Sequence, residues 1–114
     1  MSEEKSTIVV DEEGGLRRLG GDREIYNELM DLFIDNAETQ MQQLEAAVAN
    51  NELDSIEKLA HSIKGAAANL GIMAVQETAQ VLEQIGREKR GDDVDETYHQ
   101  LVHEMERFRQ YWHA

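Results

Sequence analysis

From about Asp11 to the C-terminus, apolar residues return at steps of three and four, and no proline interrupts them anywhere in the chain. A proline inside a helix removes a hydrogen bond and clashes with the preceding turn, at about 3 kcal/mol, so a chain without it is free to run long helices. Aromatic and β-branched residues are few, and the remainder is dominated by good helix formers. The expected fold class is all-α: an antiparallel up-down four-helix bundle with a short additional helix in front.

The boundaries follow from caps and breaks. Residues 1–10 read as a lead-in whose apolar end, Ile8-Val9-Val10, has no partner strand and packs on the bundle. A short helix over about Asp11–Leu19 closes at Gly20-Gly21 through a left-handed cap, and Asp22 caps the next. That second helix runs to about Ala49, with Ile25, Leu29, Leu32, Phe33, Ala37, Leu44 and Val48 on its apolar side. After Asn50-Asn51, a third helix turns Leu53, Ile56, Leu59, Ala60, Ile63, Ala67 and Leu70 inward and ends at Gly71. A fourth, about Met73–Arg90, buries Val75, Ala79, Leu82 and Ile85. Gly91-Asp92 supplies a stop and a new N-cap, and the last helix carries a narrow seam of Val94, Tyr98, Leu101, Met105, Phe108 and Trp112. Short connections make neighbouring helices antiparallel, so the bundle proper spans about residues 22–113.

Composition removes several classes of function. The 114 residues suit a single domain over 1–114. Without cysteine there is no thiol redox chemistry and no cysteine-held zinc or iron–sulfur centre. Eleven basic against 24 acidic residues give a net charge of −13, a field that repels nucleic acid and anionic membrane where no basic patch overrides it. No apolar run approaches the ~20 residues of a membrane helix, and no basic stretch followed by an apolar core opens the chain. A cytoplasmic site is the default expectation, a free-standing protein is expected because the ends carry no linker, and a monomer because each helix has only one long apolar stripe to bury.

One face of the third helix carries chemistry. Turns of about 100° per residue bring Glu57, His61, Lys64, Gly65 and Ala68 together, away from the Leu/Ile stripe. His61 therefore points to solvent, beside a run from Gly65 to Ala68 in which no side chain is larger than a methyl. Gly65 is the most informative of these, since glycine inside a helix costs about 0.5–1 kcal/mol relative to alanine, which its neighbours use. A flat surface one turn from an exposed imidazole suits a protein partner better than a small substrate. A neutral imidazole offers a lone pair for nucleophilic attack, and Lys64 can offset the roughly −1.5 to −2 charges of a phosphoryl group. The second ring nitrogen then needs an acceptor, which Glu83, a backbone carbonyl or water can provide. Taken singly, His61, Glu83 and Arg87 read as solvated surface groups, Lys64 as a helix pair with Glu57 or Glu52, and Gly65 and Gly86 as close helix packing.

The run His61-Ser62-Ile63-Lys64-Gly65-Ala66-Ala67-Ala68-Asn69-Leu70-Gly71 resembles the signature of the histidine phosphotransfer (HPt) domain family: a His, a Lys three later, a Gly after it, and a distal Asn-Leu-Gly. Gly15-Leu16-Arg17-Arg18-Leu19-Gly20-Gly21-Asp22 resembles the family's entry segment, and Leu82-Glu83 its fourth-helix pair, so the likeness covers most of the chain. The resemblance implies that His61 is the phosphoacceptor through Nε2, Lys64 the neighbouring cation and Glu83 the orienting group. By the same likeness Gly65, Glu57, Ala68 and Arg87 face the partner. Alanine at 68 is the main departure, where glycine is common. It further implies a phosphocarrier exchanging phosphoryl groups with aspartates of response-regulator receiver domains, supplied by a sensor histidine kinase, hybrid or not. On the same resemblance no cofactor is expected on this chain, and Mg2+ is expected on the receiver. The alternative is a helical interaction module that docks receivers without carrying phosphate.

Two other motifs lead elsewhere. Gly15 and Gly20 have phosphate-loop spacing, but Gly21-Asp22 stands where Lys-Ser/Thr is needed. His99 and His103 lie four apart, yet Gln100 replaces the glutamate of a zinc-protease helix and no third ligand is evident, so no metal is expected. With no nucleotide loop and no paired acids for magnesium, the chain has an acceptor without kinase machinery.

Overall fold

Among the residues described by the computed structural model, 8–113, the chain forms five α-helices and no strand. They are α1 (Glu12–Arg18), α2 (Arg23–Ala49), α3 (Leu53–Leu70), α4 (Met73–Arg87) and α5 (Val94–Trp112), with a 3-10 turn at Gly91–Asp93. Of the expected lead-in, residues 1–7 lie outside the described residues. Its end packs as anticipated: Val10 is buried, the Val9 carbonyl accepts from the Met73 amide at 2.9 Å, and the Asp11 amide donates to the Gly71 carbonyl at 2.6 Å.

Local chemistry accounts for the boundaries. The Asp11 and Asp22 carboxylates cap α1 and α2 by accepting from the Gly14 and Ile25 amides. The first four helices end alike, in that a residue one or two positions past the helix turns left-handed and two amides reach back to the last turn. Gly20, Asn51, Gly71 and Lys89 take the left-handed position. The last corrects the expected end of α4: the helix stops at Arg87 rather than Arg90, because Lys89 adopts φ 59° and the Arg90 amide bonds back to the Ile85 carbonyl. The expected cap before α5 also changes. Asp93 precedes the helix but makes no cap bond, since Arg90 Nη1 holds its carboxylate at 2.8 Å.

Helices α2 to α5 close a ring in which α3 packs most extensively on α4, while α1 lies across the end of α3. The core is aliphatic, with Ile56, Ile63, Ile72, Leu82, Ile85 and Leu101 shielded from solvent. Phe33 meets Phe108 edge to face, 5.5 Å between centroids, where α2 faces α5. The stripe on α2 differs from expectation by one position. Tyr26 and Met30 are fully buried, whereas Ile25 is exposed and Leu32 is 51% exposed. This helix is apolar over a wide arc, and the Tyr26 hydroxyl settles its rotation by donating to the Leu70 carbonyl at 2.9 Å, at the end of α3. Gly15 is there for space: a Cβ would stand 2.5 Å from that same carbonyl.

Candidate functional site

Because Ile56, Ala60, Ile63 and Ala67 face the core, the opposite side of α3 carries His61 into solvent, with its side chain 67% exposed. Among the described residues no bulky group encloses the ring. Gly65, one turn on, has open space where a Cβ would be, so no contact within the molecule requires a glycine there. Ala66 and Asn69 are exposed and Ala68 is half-buried, which leaves a low surface C-terminal to His61.

What stands behind the ring is set by the α3–α4 contact. At Gly86 a Cβ would lie 3.0 Å from both the Glu57 amide nitrogen and the Leu53 carbonyl oxygen, so only glycine allows the helices to come this close. Glu83, one turn earlier on α4, is thereby carried under α3. Among the described residues it is one of two buried acidic ones, its side chain only 5% exposed, and three donors converge on it. Oε2 lies 2.9 Å from His61 Nδ1 and 2.8 Å from Arg87 Nη2, while Oε1 lies 2.7 Å from Lys64 Nζ. The Lys64 hydrogen bond, and after it that of His61, hold the Glu83 carboxyl below its ordinary value against burial, which pushes it up. Glu83 is therefore a carboxylate at neutral pH and can only accept. Nδ1 must carry the ring hydrogen, and the lone pair is left on Nε2, the solvent-facing nitrogen.

Lys64 pairs with Glu83, not with Glu57 of its own helix or Glu52 just before it. Arg87 bridges two carboxylates, its Nε lying 3.2 Å from Glu57 Oε2 while Nη2 holds Glu83. His61, Lys64, Glu83, Arg87 and Glu57 thus form one connected group, with Gly65 and Ala68 along the same helix. The decoy motifs are placed elsewhere. Gly15 is packed against the end of α3, and His99 donates Nδ1–H to the Asp95 carbonyl at 2.8 Å on its own helix.

The sequence reasoning missed a hollow of about 280 Å³ beside the site, lined by Leu29, Leu32 and Asn36 from α2 and by Ser62, Ala66 and Asn69 from α3. Gln40 closes one side by donating to the Ser62 hydroxyl at 2.9 Å. An apolar arc on α2 too wide for one buried stripe was the available signal.

The lowered Glu83 value makes an acid-stability prediction. Near its folded pKa this group binds fewer protons folded than unfolded, so stability rises with pH through that range. The contribution is complete above about pH 4.5, the ordinary value, and is lost as pH falls below it. Urea denaturation of the parent and Glu83→Gln should show a stability gap at pH 7 that narrows towards pH 3. A gap independent of pH would contradict the assignment.

The family model of the Hpt domain matches residues 28–111. Among solved structures, the chain is similar to histidine-containing phosphotransfer protein B from Pseudomonas aeruginosa, at 21% identity over 94% of this chain and 93% of that one, with a TM-score of 0.85. It is similar also to the HPT domain of a sensor hybrid histidine kinase from Shewanella, at 14% identity, 91% and 90% coverage, and a TM-score of 0.81. A phosphotransfer protein from Medicago truncatula aligns at 20% identity over 91% of this chain and 76% of that one, with a TM-score of 0.74. At these identities the structural likeness establishes the fold. Comparison with curated protein sequences gave no significant match.

Proposed function

The chain belongs to the Hpt domain family, and from that premise we propose that it is a phosphorelay carrier in which His61 Nε2 accepts a phosphoryl group from, and returns it to, an aspartate of a receiver domain. The observation that supports this most is the bond from Nδ1 to a buried, ionised Glu83, which leaves the exposed nitrogen nucleophilic. In the forward step Nε2 attacks the phosphorus of an aspartyl phosphate. The O–P bond breaks with its electron pair returning to the aspartate. Nδ1 keeps its proton, and the positive charge acquired by the ring is offset by Glu83.

Phosphoryl transfer also needs a metal ion and a phosphodonor site. Mg2+ and the acidic residues that hold it belong, in this reading, to the receiver, and a sensor histidine kinase stands upstream. Gly65 and Ala68 admit the partner's backbone, and Leu32 in the adjacent hollow offers it an apolar anchor. No helix among the described residues is long and apolar enough to cross a membrane. A cytoplasmic monomer is the setting that this reading assigns.

The test is incubation with a panel of phosphorylated receiver domains, followed by acid and base treatment of the labelled chain. Acid-labile, base-stable phosphate on His61 is expected, and transfer from none of the panel would overturn the reading. A second expectation separates docking from chemistry. Because the space over Gly65 is open, Gly65→Leu should fold normally and accept phosphate from a small donor at the parent rate, yet exchange with a receiver about tenfold more slowly, as overpacking at a close contact costs about 1–3 kcal/mol. Equal exchange rates, measured by stopped-time gel assay, would place the docking surface elsewhere.

A further inference from the structure

Both cations beside His61 are already engaged. Lys64 holds Glu83 Oε1, and Arg87 spans Glu83 Oε2 and Glu57 Oε2. The two differ in freedom, because Lys64 is half-buried while the Arg87 side chain is 60% exposed and able to swing. Arg87 also shares its Glu83 oxygen with His61 Nδ1, so a single carboxylate oxygen separates the guanidinium from the imidazole. The charged groups joined to the ring in one network are Glu57 and Lys64 from α3 and Glu83 and Arg87 from α4, and Lys58 stands three residues before His61 on α3. On the α2 side, the uncharged Gln40 donates to the neighbouring Ser62.

We propose that Glu57 is a positioning residue that restrains Arg87 in the unphosphorylated protein, and that a phosphoryl group on His61 draws the guanidinium away from Glu57. The inference rests on the phosphocarrier reading and adds to it a determinant of how long the phosphoryl group stays. A dianion on Nε2 outbids one half-exposed carboxylate for a planar donor with five N–H groups. Glu57 opposes the movement, so its charge shortens the life of the phosphorylated state. Because the transition state for losing the phosphoryl group is loose and adds little charge to the outer oxygens, a cation held there steadies the ground state at least as well. Only the exposed ends of the side chains move. The backbone packing of Glu57 on Gly86 is unaffected.

The experiment uses the whole chain and phosphoramidate as donor. Nε2 attacks its phosphorus, and the P–N bond breaks with its electron pair leaving on ammonia. After removal of donor, the decay of phosphohistidine is followed by 31P NMR. Glu57→Gln keeps the shape and removes the charge, and its phosphohistidine should decay about fivefold more slowly than the parent's, the scale of one exposed ion pair released. In an Arg87→Gln background, the same change at Glu57 should have no effect. An unchanged lifetime in Glu57→Gln, or an effect that persists without Arg87, overturns the proposal. Failure of the parent to take phosphate on His61 would instead remove the phosphocarrier reading, so the two outcomes are distinct. Thermal melts accompany each variant, and Glu57→Asp, whose shorter arm loosens the hold on Arg87, provides the second measurement should Gln unfold the chain: its phosphohistidine should outlast the parent's, and an unchanged lifetime overturns the proposal.

Discussion

Replacing His61 with glutamine is expected to abolish acid-labile phosphorylation while leaving helical content and the thermal midpoint near those of the parent. The side chain is 67% exposed, and its one hydrogen bond, to Glu83, can be taken up by the amide of glutamine. Exposed substitutions of this kind usually change stability by no more than about 0.5 kcal/mol. Labelling should fall below detection from phosphoramidate and from a phosphorylated receiver, because an amide has no nucleophilic lone pair. His99, His103 and His113 remain as controls within the same molecule. Residual acid-labile label on His61→Gln would mean that one of them is the acceptor.

The second large effect belongs to Glu83. Without its carboxylate nothing selects the Nδ1–H tautomer, and the positive charge that forms on the ring loses its partner. Glu83→Ala should slow phosphorylation by about a hundredfold, the lower range for a positioned acid–base partner. Glu83→Gln should recover much of that, since its amide oxygen can still accept from Nδ1. The comparison assigns separate weights to tautomer and charge. It is made at one fixed phosphoramidate concentration, with circular dichroism to confirm folding. If the two variants were equally slow, the charge of Glu83 rather than its hold on the tautomer would carry the effect.

The all-α class, the glycine stops and the separation of His61 from the buried stripe were legible because each depends on neighbours within one or two turns. Where a partner in another helix decides, local pattern was insufficient. The rotation of α2 is an example: Ile25 and Leu32 fit an apolar stripe as well as Tyr26 and Met30, and only the phenol's bond to the end of α3 distinguishes them. Lys64 is another, since spacing offers Glu57 and Glu52 but the bundle supplies Glu83. Glu83 could be nominated from its place on the fourth helix. Its burial, however, follows from how closely Gly86 brings α4 to α3, a distance that no single-helix argument contains. The Glu57–Arg87 bridge spans the same contact and was invisible for the same reason.

The segment leading into α1 has a practical corollary for fusions. Val9 and Asp11 are stitched by backbone hydrogen bonds to Met73 and Gly71, at the junction of the two helices that build the site. Counting nine residues from Leu70 back to His61 at 1.5 Å each, any protein joined ahead of Val9 emerges roughly 14 Å along the helix axis from the imidazole. A receiver attached there through a short flexible tether would meet its donor at a local concentration set by the tether, in the millimolar range, and outcompete receivers arriving from bulk solution.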